Sequence, residues 1–150
     1  MKPGSLPREY PDRPIVGVGA VIVMGRQVLL VRRGTPPLQG QWSLPGGAVE
    51  LGETLRAAAE REAREETGLV VKAEEILEVF DRIIPGEAGR PRYHYVLVDF
   101  LCHVERGANP RAGGDVTEVA WAGEDELEKY KLEKPALDVI AKAWKNRVIR

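Results

Sequence analysis

Three glutamates and an arginine crowd one short stretch of this 150-residue chain. Arg61, Glu62, Glu65 and Glu66 lie in the run Leu55–Thr67, whose Ala, Glu and Arg content favours helix. At about 100° per residue, Leu55, Ala58, Ala59 and Ala63 make its apolar face. Glu62 and Glu66, spaced i,i+4, fall within that face and Glu65 lies at its edge, whereas Arg56, Glu60 and Arg64 point away. A carboxylate turned toward a core is costly unless it is paired or bound to a metal. Acids crowded together repel one another, so a divalent cation is their natural partner. Oxygen ligands favour Mg²⁺, with Mn²⁺ as the alternative, over zinc. Arg61 is the i,i+4 neighbour of Glu65 and is expected to hold it in a two-bonded grip. A solvated helix with ordinary i,i+4 pairs is the plain alternative, but it leaves the acids on the small-residue face without a reason.

The flanking residues must aim this helix. Leu44-Pro45 leads into Gly46-Gly47, where a sharp turn through φ > 0 is expected. Gly52 closes a short apolar arm, Glu53 or Thr54 begins the helix, and Gly68 stops it.

Gly47, then Glu53 after five intervening residues, then after seven more the run Arg61-Glu62-Ala63-Arg64-Glu65-Glu66-Thr67-Gly68-Leu69 resembles the Nudix box. Ala63 is the one departure, standing where the family usually carries a larger aliphatic. The resemblance implies metal-dependent hydrolysis of a phosphoanhydride in a nucleoside diphosphate linked to another group. It makes Glu62 and Glu66 the main metal ligands, with Glu65 adjoining, Glu53 a further candidate, and the backbone of Gly46 and Gly47 facing the cation or the diphosphate. Arg61 would orient Glu65. In some members the base that takes a proton from water lies before a later Trp-bearing strand. Asp115, six residues before Trp121, fits that place, with Glu118 and Glu65 as alternatives.

Around the box the chain reads as strands and two later helices. Ile15–Met24 and 27–31 form a hairpin through Gly25-Arg26. Both faces of the first strand look buried, and Gly17 and Gly19 imply close approach to its backbone. Trp42-Ser43-Leu44 is a short strand. Residues 70–82, with an acidic break at Glu74-Glu75, pair with 92–104 around the Pro85-Gly86 loop. In the latter strand Tyr93, Tyr95, Leu97 and Asp99 share one face, and His94, Val96, Val98 and Phe100 the other. A strand at 116–121 and helices at Glu124–Tyr130 and 135–148 follow. This order suggests a mixed sheet with helices on both faces. The resemblance specifies the α/β/α Nudix sandwich over 15–150, preceded by an extended proline-rich arm at 1–14.

Several side chains have both a substrate-binding and a plain reading. Arg32 and Arg33 meet phosphate or cap a solvated strand end. Trp42 stacks on a base or packs at the rim. His94 contacts a base or is a satisfied structural group. Pro85 lies sixteen residues after Leu69. A proline near that distance resembles the mark of family members acting on ADP-ribose and related nucleoside diphosphate sugars, yet Pro-Gly is also a favoured turn dipeptide. Nucleoside triphosphates are the competing substrates, and a nucleotide-sensing domain without catalysis is a further alternative, weakened by the intact acids.

Composition bounds these readings. Net charge is −1 with 30% charged residues, so no basic excess points to nucleic acid polymers or an anionic membrane. A small nucleotide remains a fitting partner. Cys102 is the only cysteine, in an apolar strand, and reads as a small buried hydrophobe. The chain shows no apolar signal region and no 18-residue apolar run, from which a cytoplasmic protein is expected. The hydrophobic strands and proline-rich arm resemble features by which many relatives form homodimers.

Overall fold

The computed structural model describes residues 8–36, 38–107 and 109–149. Its sheet is built around β1 (Ile15–Met24). Alternation of Val18, Ala20 and Ile22 with Val21 and Val23 gives this strand two apolar faces, and both are buried. β6 (Pro91–Arg106) runs parallel along one side of β1, and β5 (Val70–Pro85) pairs antiparallel with β6.

The other side of β1 forks. β2 (Gln27–Arg33) pairs with β1 only at Val23↔Val28 and Met24↔Gln27, then diverges to run antiparallel to β7 (Val116–Gly123). Two short strands line the fork. β3 (Trp42–Ser43) pairs with β2, and β4 (Gly46–Ala48) pairs with β1 through Gly17↔Ala48, Val18↔Gly47 and Gly19↔Gly46. The Gly-rich segment is thus extended strand rather than the left-handed turn expected: neither Gly46 nor Gly47 has positive φ. Glycine is needed there for space. A Cβ on Gly46 would fall 2.2 Å from the Val18 carbonyl oxygen.

Helices cover both faces, as the sequence implied. α1 (Leu55–Thr67) packs Ala58, Ala59 and Ala63 on Val18, Ala20 and Phe100. α2 (Lys134–Ile149) packs Val139, Ile140 and Ala143 on Val21, Val23 and Leu101. The segment Glu124–Tyr130 is a 3₁₀ turn rather than an α-helix. Glu74-Glu75 does not break β5. The strand passes through a register shift between Ala73 and Ile76, and α1 satisfies the local backbone: Glu60 accepts from the Ala73 N–H at 2.9 Å and Arg56 donates to the Glu74 carbonyl at 2.7 Å. Cys102 is fully buried, and burial pushes its thiol up to about 12.

Residues 1–7 of the arm lie outside the described residues. Beyond them the arm lies on the β5–β6 hairpin: the Tyr10 N–H donates to the Arg92 carbonyl at 2.7 Å, and Arg92 pairs with Glu9 at 2.8 Å. No helix among the described residues is long and apolar enough to cross a membrane.

Candidate active site

The helix that carries the acids is fixed at both ends by local chemistry. The Thr54 hydroxyl accepts from the Ala57 N–H at 3.1 Å, which makes Thr54 the N-cap and starts the helix at Leu55. Gly68 closes it in the left-handed region at φ 75°, where other residues are strained. The helical period then turns Glu62 and Glu66 inward, only 9% and 8% exposed, as expected from the sequence. Glu65 is half-exposed at the edge.

Each inward acid abuts one glycine of β4. The Gly46 N–H donates to Glu66 Oε1 at 2.9 Å. A Cβ on Gly47 would lie 2.6 Å from the Glu62 carboxyl, so only glycine lets that acid approach the strand. Burial, opposed by the Gly46 bond and Arg33 and reinforced by Glu62 and Asp115, pushes Glu66 up to about 8. Burial also raises Glu62, against the lowering influence of Arg61.

Arg61 is the cation at the centre, but its principal partner is not the one expected. Nε and Nη2 bond the two oxygens of Glu53 at 2.6 and 2.9 Å, while Nη1 reaches Glu62 at 2.7 Å. Glu65 receives a single bond of 3.3 Å. Gly52, at φ 84°, folds the preceding loop so that Glu53 comes back over α1, and a two-oxygen fork there outcompetes the i,i+4 contact. The Ala48 carbonyl accepts a further bond from Arg61 at 3.1 Å, tying β4 to the helix.

Among the described residues no three Asp, Glu, His or Cys side chains stand arranged as a metal site, and the Arg61 guanidinium bridges Glu53 and Glu62. The donor chemistry nevertheless fits a hard divalent cation. Glu62 and Glu66 are hard oxygen donors, buried, raised in pKa and backed by glycine backbone, and a cation would relieve what burial costs them.

Beside this cluster, on the α2 face, the fork opens into a cleft of about 180 Å³. Gly17, Gly19, Gly46 and Gly47 form its bare backbone floor, and Leu44, Phe80, Leu97 and Pro135 its apolar walls. Trp42 lines it and meets Tyr130 edge-on, ring centres 5.0 Å apart. Arg33 lines it as well, and its charge is felt at Glu66.

Two expected substrate contacts fall elsewhere. Arg32 points out of the cleft, pairing with Glu118 at 2.9 Å and the Gly40 carbonyl at 3.0 Å, because successive strand residues face opposite sides. For the same reason His94 does not line the cleft. It sits opposite Ile83 in the β5–β6 ladder, while Tyr95 and Leu97 face inward. Pro85 also lies outside, at the end of β5. The pairing of Glu118 with Arg32 across β7 and β2 separates the two candidate acids outside the box. Asp115 stands close enough to raise Glu66, on a segment whose Gly113 N–H bonds the Glu66 carbonyl at 3.1 Å. Among the cleft residues that carried no functional expectation is an acid, Asp99, 6% exposed. A lone acid within the apolar run of β6 was the available signal.

A NUDIX domain model matches residues 13–143. A Methanocaldococcus jannaschii protein named ADP-ribose pyrophosphatase is 33% identical over 133 residues, covering 89% of this chain and 76% of that one. A MutT-like protein of Streptomyces ambofaciens is 30% identical over 139 residues, 91% of this chain and 82% of the other. The crystal structure of a MutT NUDIX hydrolase from Burkholderia pseudomallei superposes with a TM-score of 0.73 at 30% identity, covering 87% of this chain and 98% of that one. The chain belongs to the Nudix family and is a hydrolase, with the α/β/α sandwich of that family.

Proposed function

We propose that this hydrolase is a divalent-metal-dependent pyrophosphohydrolase acting on ADP-ribose or a related nucleoside diphosphate sugar, with Mg²⁺ as the cation and Mn²⁺ as its alternative. The observation that carries the reading is the complete acid set around Arg61, backed by Gly46 and Gly47 and adjoining a cleft of nucleoside size. The likeness to a protein named ADP-ribose pyrophosphatase over most of both chains favours that substrate over nucleoside triphosphates. Intact acids favour turnover over sensing.

Glu62 and Glu66, with Glu65 adjoining and the Gly47 backbone, would hold the cation. When bound it neutralises diphosphate charge and polarises a phosphoryl oxygen. The chain's own groups do the rest. Arg33 and the Gly46 backbone face the diphosphate, Trp42 and Leu97 border the nucleoside, and Glu53 holds Arg61 so that the acids keep their spacing. Asp115 takes a proton from the attacking water, a role for which Glu118 is already committed to Arg32. We further read the active form as a homodimer, since β1 and β5 expose Val16, Val79 and Ile83 on one sheet face.

The test is kcat/KM for ADP-ribose against a panel of nucleoside triphosphates with Mg²⁺. We expect ADP-ribose to lead, with AMP and ribose 5-phosphate as products. A preference of about tenfold or more for any triphosphate overturns the substrate and leaves the hydrolase assignment standing.

A further inference from the structure

The cleft holds a buried carboxylate that hydrolysis leaves without a role. Asp99 is 6% exposed, and no hydrogen bond or ion pair joins it to another described residue. Its nearest charged influence is Glu78, which repels it. Such a group is costly unless something supplies a donor.

Its placement suggests what does. Gly46 pairs with Gly19 across β4 and β1, and Gly19 pairs with Asp99 across β1 and β6. Asp99 thus lies two strand spacings, about 10 Å, from the Gly46 amide that bonds Glu66. That is comparable with the reach from a phosphate to the far edge of its nucleoside. Gly19 makes room for it: a Cβ there would fall 2.2 Å from Asp99 Oδ1. Phe80, Leu97 and Pro135 line the cleft with it, walls suited to a flat ring rather than to a hydroxylated sugar.

We propose that Asp99 reads the nucleobase, its carboxylate accepting a hydrogen bond from the 6-amino group of adenine while the diphosphate lies at Gly46 and Arg33. An ionised carboxylate only accepts, so it favours an amino edge and repels the oxygen that hypoxanthine carries in the same position. The assignment rests on the adenine-nucleotide substrate proposed above.

The test compares substrate pairs that differ in that one substituent, ADP-ribose against inosine diphosphate ribose and ATP against ITP. Wild type and Asp99→Asn are assayed with Mg²⁺ at about pH 8.5, where Asp99 is ionised. We expect wild type to prefer the amino member about tenfold or more in kcat/KM, and Asp99→Asn, whose amide donates to the oxygen, to bring the ratio within about threefold, chiefly through KM. A purely structural Asp99 would leave the ratio unmoved, and that result overturns the proposal. Should the triphosphate pair be the better substrates, the ADP-ribose reading falls while the amino-to-oxo ratio still decides the role of Asp99. If neither pair is turned over, or the variant fails to fold, calorimetric binding of AMP and IMP to wild type decides it. Tighter AMP supports the proposal, and equal affinity overturns it.

Discussion

Arg61 and Glu53 are joined by two bonds, Nε to Oε2 at 2.6 Å and Nη2 to Oε1 at 2.9 Å, across the loop that opens α1. One guanidinium therefore anchors the loop, the Ala48 carbonyl and Glu62 together. Arg61→Ala strands these largely buried acids and is expected to cost about 3 kcal/mol. Arg61→Lys keeps the charge but loses the fork, and we expect kcat to fall about tenfold or more with the fold retained. Thermal melts and steady-state kinetics check both. Wild-type turnover in Arg61→Lys would mean that the fork does not set the acid geometry.

Arg32 and Arg33 are neighbours with opposite fates. Arg32 is spent on Glu118 and Gly40, whereas Arg33 lines the cleft. Arg33→Ala is expected to raise KM about tenfold with a smaller change in kcat, as loss of phosphate binding requires. Arg32→Ala, which removes an exposed ion pair, should leave kcat/KM within about twofold. The reverse ranking would contradict the assignment of Arg33.

Asp99 also marks the stability profile. Burial, with repulsion from Glu78 adding to it, pushes this carboxyl up to about 6. The native state holds the proton more tightly than the unfolded chain does. Stability is therefore lost as pH rises from the ordinary carboxylate range through 6, by about 3 kcal/mol at most. Asp99→Asn escapes that loss. In metal-free melts its Tm should exceed that of wild type by several degrees at about pH 8, and the difference should shrink toward about pH 4. A constant offset across this range would show that Asp99 does not titrate as described.

The exposed apolar sheet face gives the homodimer its test. Val79 and Ile83 are 53% and 56% exposed on β5. Sedimentation at micromolar concentration should show a dimer, and Val79→Glu with Ile83→Glu should yield monomer. A wild-type monomer at that concentration rejects the dimer.

Much of the site was legible because its information is local. Fixed spacing announced the box, and the 3.6-residue period alone turned Glu62 and Glu66 inward. What escaped the sequence depends on tertiary folding. The i,i+4 rule ranks Glu65 first for Arg61, and only the loop turning at Gly52 brings Glu53 closer. The two-residue period already placed His94 and Tyr95 on opposite faces. Which face meets the cleft depends on α2 and on the fork between β1 and β2, and no local pattern encodes that divergence. Gly46 and Gly47 were recognised as necessary, but the reason is the room that Val18 and Glu62 demand rather than positive φ.

The acid pair itself is tested most directly by replacing Glu66, which combines burial, the Gly46 bond and a pKa raised to about 8. With ADP-ribose and saturating Mg²⁺, Glu66→Gln is expected to lower kcat on the order of 10²-fold or more. Above about pH 8, where Glu66 is ionised, its metal-free Tm should be unchanged or higher, because a crowded buried charge has been removed. Retention of the wild-type rate by a folded Glu66→Gln protein would contradict the assignment of hydrolysis to this site.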